Sequence, residues 1–182
     1  MTDLLHRMKG FTLVETLVAI TILTLAVVAP FQAIENSISA SRLAKEKLVA
    51  SSLAQEALEY VRFVRTNNYL SNQSGYTAMN GLNGTGGPDC TGAKWCTLDA
   101  SVAPIGAASC PGAASTCPVL QLDPVNGYYT QVNVNNPTIY TRSVNIVVHN
   151  GVPKYETVTV VVSWTDHGAN TMTLSEDLYD WL

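Results

Sequence analysis

The sequence predicts an α+β protein in which a long N-terminal helix, hydrophobic in its first half, packs against a C-terminal antiparallel β-sheet. Three observations carry this. Residues 11–31 form an apolar run interrupted by a single charge, Glu15. Residues 32–65 continue without Gly or Pro, and Leu43, Ala50, Leu53, Ala54, Ala57, Val61 and Val64 recur at three- and four-residue spacing, the period of one helix face. Residues 128–182 are rich in Val, Ile, Thr, Tyr and Trp, with alternation clearest in Val144, Ile146, Val148 and again in Val158, Val160, Val162, Trp164.

The apolar run is about 20 residues, or ~30 Å as a helix, which matches the hydrocarbon core of a bilayer. Arg7 and Lys9 precede it, so the positive-inside rule holds the start in the cytoplasm and sends the C-terminal part outward. Ala26, Ala29 and Ala33 imitate a secretory cleavage site, but Pro30 and the helical pattern that continues past it disfavour that reading. Glu15 is the informative residue. A carboxylate inside an apolar span costs up to ~3 kcal/mol, so its presence points to a function that offsets the cost.

Residues Lys9-Gly10-Phe11-Thr12-Leu13-Val14-Glu15 and the span behind them resemble the class III leader and first helix of type IV pilins and pseudopilins. The resemblance covers roughly residues 7–31 and implies a pilin-like fold. It also implies cleavage between Gly10 and Phe11 by a prepilin peptidase/methyltransferase, N-methylation of Phe11, and assembly with other pilin subunits through the helix. Glu15 would face the methylated amine of a neighbouring Phe11, each neutralising the other in apolar surroundings. Pro30 removes one backbone hydrogen bond and is expected to kink or locally melt the helix. The partners that follow are membrane lipid before assembly and the inner-membrane pilus or secretion machinery. The implied location is the bacterial inner membrane, single-pass with the head outside the cytoplasm, and then an extracellular or periplasmic filament.

The expected divisions are a leader at 1–10, a membrane and filament-core helix at 11–31, its amphipathic continuation at 32–65, an irregular disulfide-stapled region at 66–127 and a sheet head at 128–182. Arg42, Lys45, Lys47, Glu56, Glu59, Arg62 and Arg65 occupy much of the remaining helix circumference, as a solvated face or as contacts to neighbouring subunits. Residues 66–127 lose periodicity, and 80–89 read as successive turns. Cys90, Cys96, Cys110 and Cys117 fall there. An even count in an exported loop reads as two disulfides with three connectivities open. Local closure, Cys90 with Cys96 and Cys110 with Cys117, suits two turn-rich lobes and adds ~2 kcal/mol for each short loop. A four-cysteine zinc site has the wrong spacing for the usual ligand pairs.

Strands are expected at 128–134, 139–149, 155–164 and 171–174, with Asn150-Gly151 as one tight turn and 166–170 as another. Leu178 and Trp181 have helix-compatible spacing, and the terminus closes the sheet as a cap or an edge strand.

Composition excludes several classes. The chain has 182 residues, 47% hydrophobic and only 13% charged, which argues against disorder. A formal net charge of −4 disfavours a nucleic-acid module. His6, His149 and His167 are scattered, and residues 66–141 hold only Asp89, Lys94, Asp99 and Asp123, so few titratable groups can converge. His149, His167 and Asp166 read as turn residues. Glu176, Asp177 and Asp180 lack the calcium-loop pattern and read as a solvated terminus, although some pseudopilins resemble this in using calcium. No phosphate loop, dinucleotide fingerprint or nucleophile elbow is present, so a non-enzymatic subunit with no cofactor and no metal is expected. The leading reading is a minor pilin. The alternatives are a type II secretion pseudopilin, and a tip adhesin whose 66–127 loop meets a surface ligand through Tyr69, Tyr76, Trp95, Tyr128 and Tyr129.

Overall fold

The computed structural model describes residue 10 and residues 12–74, 78–101, 106–166 and 168–179. Residues 1–9, Phe11, Tyr76, His167, Asp180 and Trp181 lie outside the described residues, with the expectations placed on them. Two compact units divide the chain, Met1–Glu46 and Lys47–Leu182.

The helix α1 (Leu13–Leu70) is 58 residues long. Its C-terminal end lies five residues beyond the expected limit, and the reason is local. Asn72 takes a left-handed φ of 64°, the Asn72 N–H donates to Tyr69 O (3.0 Å) and the Gln73 N–H to Asn68 O (3.1 Å). This is a Schellman cap, in which asparagine does the work more often given to glycine. Helical geometry also continues through Pro30, against the expected local melting. Proline deletes one intrahelical bond, and the propagated turns on either side hold the helix across that gap.

In the second unit, Ala50, Leu53, Ala54, Ala57, Leu58, Val61 and Val64 are buried. Their spacing is that of one helix face, and the three alanines allow a close approach to the sheet. Leu43 was expected in the same stripe but belongs to the first unit and is 38% exposed.

Among the described residues seven strands form one antiparallel sheet: β1 (Cys96–Asp99), β2 (Gly106–Ser109), β3 (Val119–Leu122), β4 (Tyr129–Thr130), β5 (Pro137–His149), β6 (Tyr155–Thr165) and β7 (Ala169–Tyr179). One side of β5 pairs along its length with β6, which pairs with β7. The other side is shared, β3 meeting its N-terminal half and β1 its C-terminal half, with β2 outside β1 and β4 outside β3. Val144, Ile146, Val158, Val160, Val162 and Trp164 point to the helix and are buried. Leu98 and Leu120 extend that core onto β1 and β3.

Thus β1, β2 and β3 arise inside 66–127, the segment expected to be irregular. Each has four residues, too short for alternation to show in the sequence; β1 and β3 exist by pairing with distant Val144 and Thr141 of β5, and β2 by pairing with β1. The strand expected at 128–134 shrinks to two residues. The link from β5 to β6 spans 150–154 and not a two-residue turn, since His149 pairs with Tyr155. Pro153 has no N–H to give a tighter ladder. The last strand runs to Tyr179, which makes the described terminus an edge strand. In the turns before β1, a Cβ on Gly87 would lie 2.2 Å from Gly81 O, so that crossing requires glycine.

Candidate functional site

The site expected from the sequence is the junction at Gly10 and the first helical turn. Thr12 is the N-cap: its Oγ1 accepts from the Glu15 N–H (3.3 Å), and its carbonyl accepts from the N–H groups of Glu15 (3.0 Å) and Thr16 (3.2 Å). Thr12-Leu-Val-Glu15 therefore has the S/T-x-x-E spacing of a capping box, and Glu15 stands in the first turn, where the helix dipole favours a negative charge. The carboxylate has a local reason to be there as well as the one expected from assembly.

Behind it, every described residue from Thr12 to Lys45 is exposed, the side chain of Ala29 aside. Leu13, Val14, Leu17, Ile20, Ile22, Leu23, Leu25 and Phe31 are each at least 58% exposed. This stretch is long and apolar enough to cross a membrane. Its threonines are reconciled with apolar surroundings locally. Thr16, Thr21 and Thr24 donate their hydroxyls to the carbonyls of Leu13 (2.8 Å), Val18 (2.8 Å) and Thr21 (2.9 Å). The geometry is a capped helix start with one carboxylate, set immediately behind a glycine, on a helix whose apolar surface has no partner in its own unit.

Residues 5–29 match the prokaryotic N-terminal methylation motif. The N-terminus is thus type IV pilin-like, and the motif supports a pilin-like or pseudopilin subunit that is processed by prepilin peptidase, assembles with other pilin subunits and is anchored in the inner membrane before assembly. No curated protein and no solved structure matches the chain. The methylation motif ends before the second unit begins, so the head has to be read from its own residues.

The head contains a polar post that the sequence reading passed over. Arg142 is fully buried on β5. Its guanidinium donates to Glu56 Oε2 (2.7 Å) and to the carbonyls of Leu53 (3.2 Å) and Leu98 (2.6 Å), tying the helix, β5 and β1 together. The signal was available: Tyr140, Arg142, Val144 and Ile146 share the inward phase of the strand. Other helix charges expected to be solvated also reach the sheet. Arg62 donates to Glu176 (2.5 Å) and pairs with Glu59, and Arg65 donates to Tyr179 O. Arg42, Lys45 and Lys47 are exposed.

In the head Cys90 is bonded to Cys96 and Cys110 to Cys117, at sequence separations of 6 and 7. They are not equivalent. Cys90 and Cys96 are fully buried, and the Asn145 amide donates to Cys90 O (3.4 Å), Gly92 O (2.8 Å) and Lys94 O (2.6 Å), gathering the small ring onto β5. Hydrogen bonding from the Lys94 ammonium first, then from Thr91, holds the Asp89 carboxyl down at about 2. Asp99 is also lowered: burial alone would raise it, but Ser101 Oγ (2.5 Å), Thr130 Oγ1 (2.7 Å) and the Gln131 N–H (2.6 Å) all donate to it. It fastens the β1 end to β4.

His149 is no ligand triad member among the described residues. It stacks on Tyr155 (4.3 Å between centroids), which stacks on Tyr179 (5.2 Å). Thr157 donates its only hydroxyl proton to Asp177 (2.7 Å), so His149 Nε2 is the donor toward Thr157 Oγ1 (3.1 Å). Of the loop aromatics, Tyr128 is 42% exposed, while Tyr69, Trp95 and Tyr129 are half-buried. Tyr129 packs edge-on to Tyr140 (6.2 Å), which supports a packing role.

Proposed function

We propose that this chain is a non-enzymatic minor pilin of a type IV pilus or related filament, cut between Gly10 and Phe11, methylated on Phe11 and assembled through α1. The observation that carries this is Glu15 in the capped first turn of a helix whose described apolar side chains from Leu13 to Phe31 are exposed, close behind the methylation-motif junction. In a bundle of parallel helices those apolar side chains gain the partners they lack in the monomer. The amine created on Phe11 supplies the counter-charge for Glu15. Pro30 keeps its place within the helix, and residues 66–127, with two disulfides and three strands, make a head more elaborate than dense repetition requires.

Intact mass and N-terminal sequencing of protein from membranes test the reading. Loss of residues 1–10 with one methyl group on Phe11 is expected, and a mature chain starting after Ala29 or Ala33 would sink it. Immunogold labelling then separates sparse sites or the tip from uniform decoration of the shaft, the pattern of a major subunit.

A further inference from the structure

The sheet has one long free edge. Among the described residues β7 pairs only with β6, through eleven consecutive positions without a bulge. Long edges are ordinarily blunted by Lys, Pro, a bulge or a covering element, because their unpaired N–H and C=O groups template another strand. Ala169–Tyr179 contains no Lys, Arg or Pro, and its two charges, Glu176 and Asp177, disfavour a like-charged strand without barring a basic one. The other free edges, β2 with four residues and β4 with two, are short.

A groove of about 490 Å³ runs beside this edge, lined by Gln55, Leu58, Glu59 and Arg62 of α1 and by Leu174, Ser175 and Glu176 of β7. Leu58 and Leu174 offer an apolar floor, and on the groove side Glu59 and Glu176 share the single cation Arg62. Asp177 lies in the other phase of the strand, where Thr157 donates to it.

A second copy of the chain fits poorly. Antiparallel pairing of β7 with itself has a two-fold axis perpendicular to the sheet. Arg62 reaches Glu176 and Arg65 reaches Tyr179, so α1 advances along β7 in the same direction. The two-fold would therefore oppose the two helices and bring the chains into their heads from opposite ends, whereas subunits inserted from one membrane enter from one side. Parallel in-register pairing would set Glu176 beside Glu176 and Asp177 beside Asp177, and like charges repel. The chain's other edges are too short to cover β7.

We propose that β7 accepts an extended strand from a different exported subunit, one that places small apolar side chains over Leu58 and Leu174, a Lys or Arg against Glu59 and Glu176 on the groove side, and a second against Asp177 on the other face. Backbone hydrogen bonds supply the affinity in such strand addition, and the alternate side chains supply the selection. The choice of an exported partner rests on the filament reading; the free edge and the groove do not.

Hydrogen exchange of the full chain in detergent, with synthetic strand peptides as probes, tests this. One peptide alternates Val and Thr and carries two lysines, and its control carries glutamates at those positions. The lysine peptide should slow exchange of the 171–177 amides, with the glutamate peptide at least about tenfold weaker. Thr173→Lys with Ser175→Lys, both on the exposed face, should abolish protection while the thermal melt is unchanged. No protection by either peptide, or equal protection by both, would overturn the proposal. Protection that rises with protein concentration and no peptide would make the second copy the occupant and overturn it too. Leader removal is scored separately by mass: a chain that keeps residues 1–10 yet binds the lysine peptide at β7 would defeat the filament reading and leave the edge standing.

Discussion

Two stretches of one helix meet opposite fates. From Leu13 to Lys45, the side chain of Ala29 aside, every described residue is exposed, apolar ones included, whereas from Ala50 to Val64 a single stripe is buried and the rest is partly or fully exposed. Up to Phe31 the first stretch is apolar around its circumference, which suits surroundings that are apolar on all sides. The second is apolar on one face only, because one sheet covers one face. The same backbone thus serves two solvents, and the difference is written in side-chain distribution, not in helix geometry.

Glu15 gives the widest separation of the two stretches. Glu15→Val should abolish filament incorporation, measured in sheared fractions, while the melting of the head is unchanged, since Glu15 belongs to the first unit and the buried core to the second. Gln keeps the capping-box spacing but not the charge, so Glu15→Gln failing as badly as Val assigns the effect to the charge, and a Gln variant that assembles normally assigns it to the cap.

Arg142→Ala should do the reverse. It leaves Glu56 and the carbonyls of Leu53 and Leu98 without their donor, and costs about 3 kcal/mol or more in denaturant unfolding of the head. Arg142→Met, which fills the space, should cost less. Equal losses in the two variants would show that charge, and not volume, holds the post.

The disulfides sharpen the comparison inside the head. Replacing Cys110 and Cys117 by Ala should cost about 2 kcal/mol, the entropy of a short loop. Replacing Cys90 and Cys96 should cost more, about 3–4 kcal/mol, because both are fully buried and their loss also leaves a cavity. Similar losses would mean that burial of the first pair adds nothing.

The smallest effect is on pH. The folded Asp89 carboxyl sits at about 2, below its ordinary 3.8. A depressed carboxylate adds stability that is present above the unfolded value and lost as pH falls through the folded one, so the exchange protection of the 89–96 loop, relative to the intrinsic rate at each pH, should fall between about pH 4 and 2. The group is near the surface, so the change is slight. In Asp89→Asn this dependence should vanish.

Much of this was legible in the residues. The 3.6-residue stripe of Ala50 to Val64 and the two-residue alternation of Val158 to Trp164 are periodic signals that survive without knowing the partner, and both are buried as their periods require. The start at Thr12 and Glu15 is a local pattern. Four-residue strands carry no such signal: Cys96–Asp99 and Val119–Leu122 are strands only because β5 lies beside them. Arg142 was visible as a charge in the inward phase, but its partners were not, since Glu56 lies 86 positions away.

What the sequence by itself determined is therefore what depends on neighbours along the chain: the apolar span, its capped acidic start, the helix face and the long alternating strands. Tertiary structure alone decided what depends on groups far apart in sequence: the seven-stranded order, the partners of Arg142, the seating of the Cys90–Cys96 ring on Asn145 and the open edge of β7. The physical reason is range. Helix and strand periods are set by local backbone geometry, whereas a buried charge or a short strand is stable only when distant residues bring it a partner.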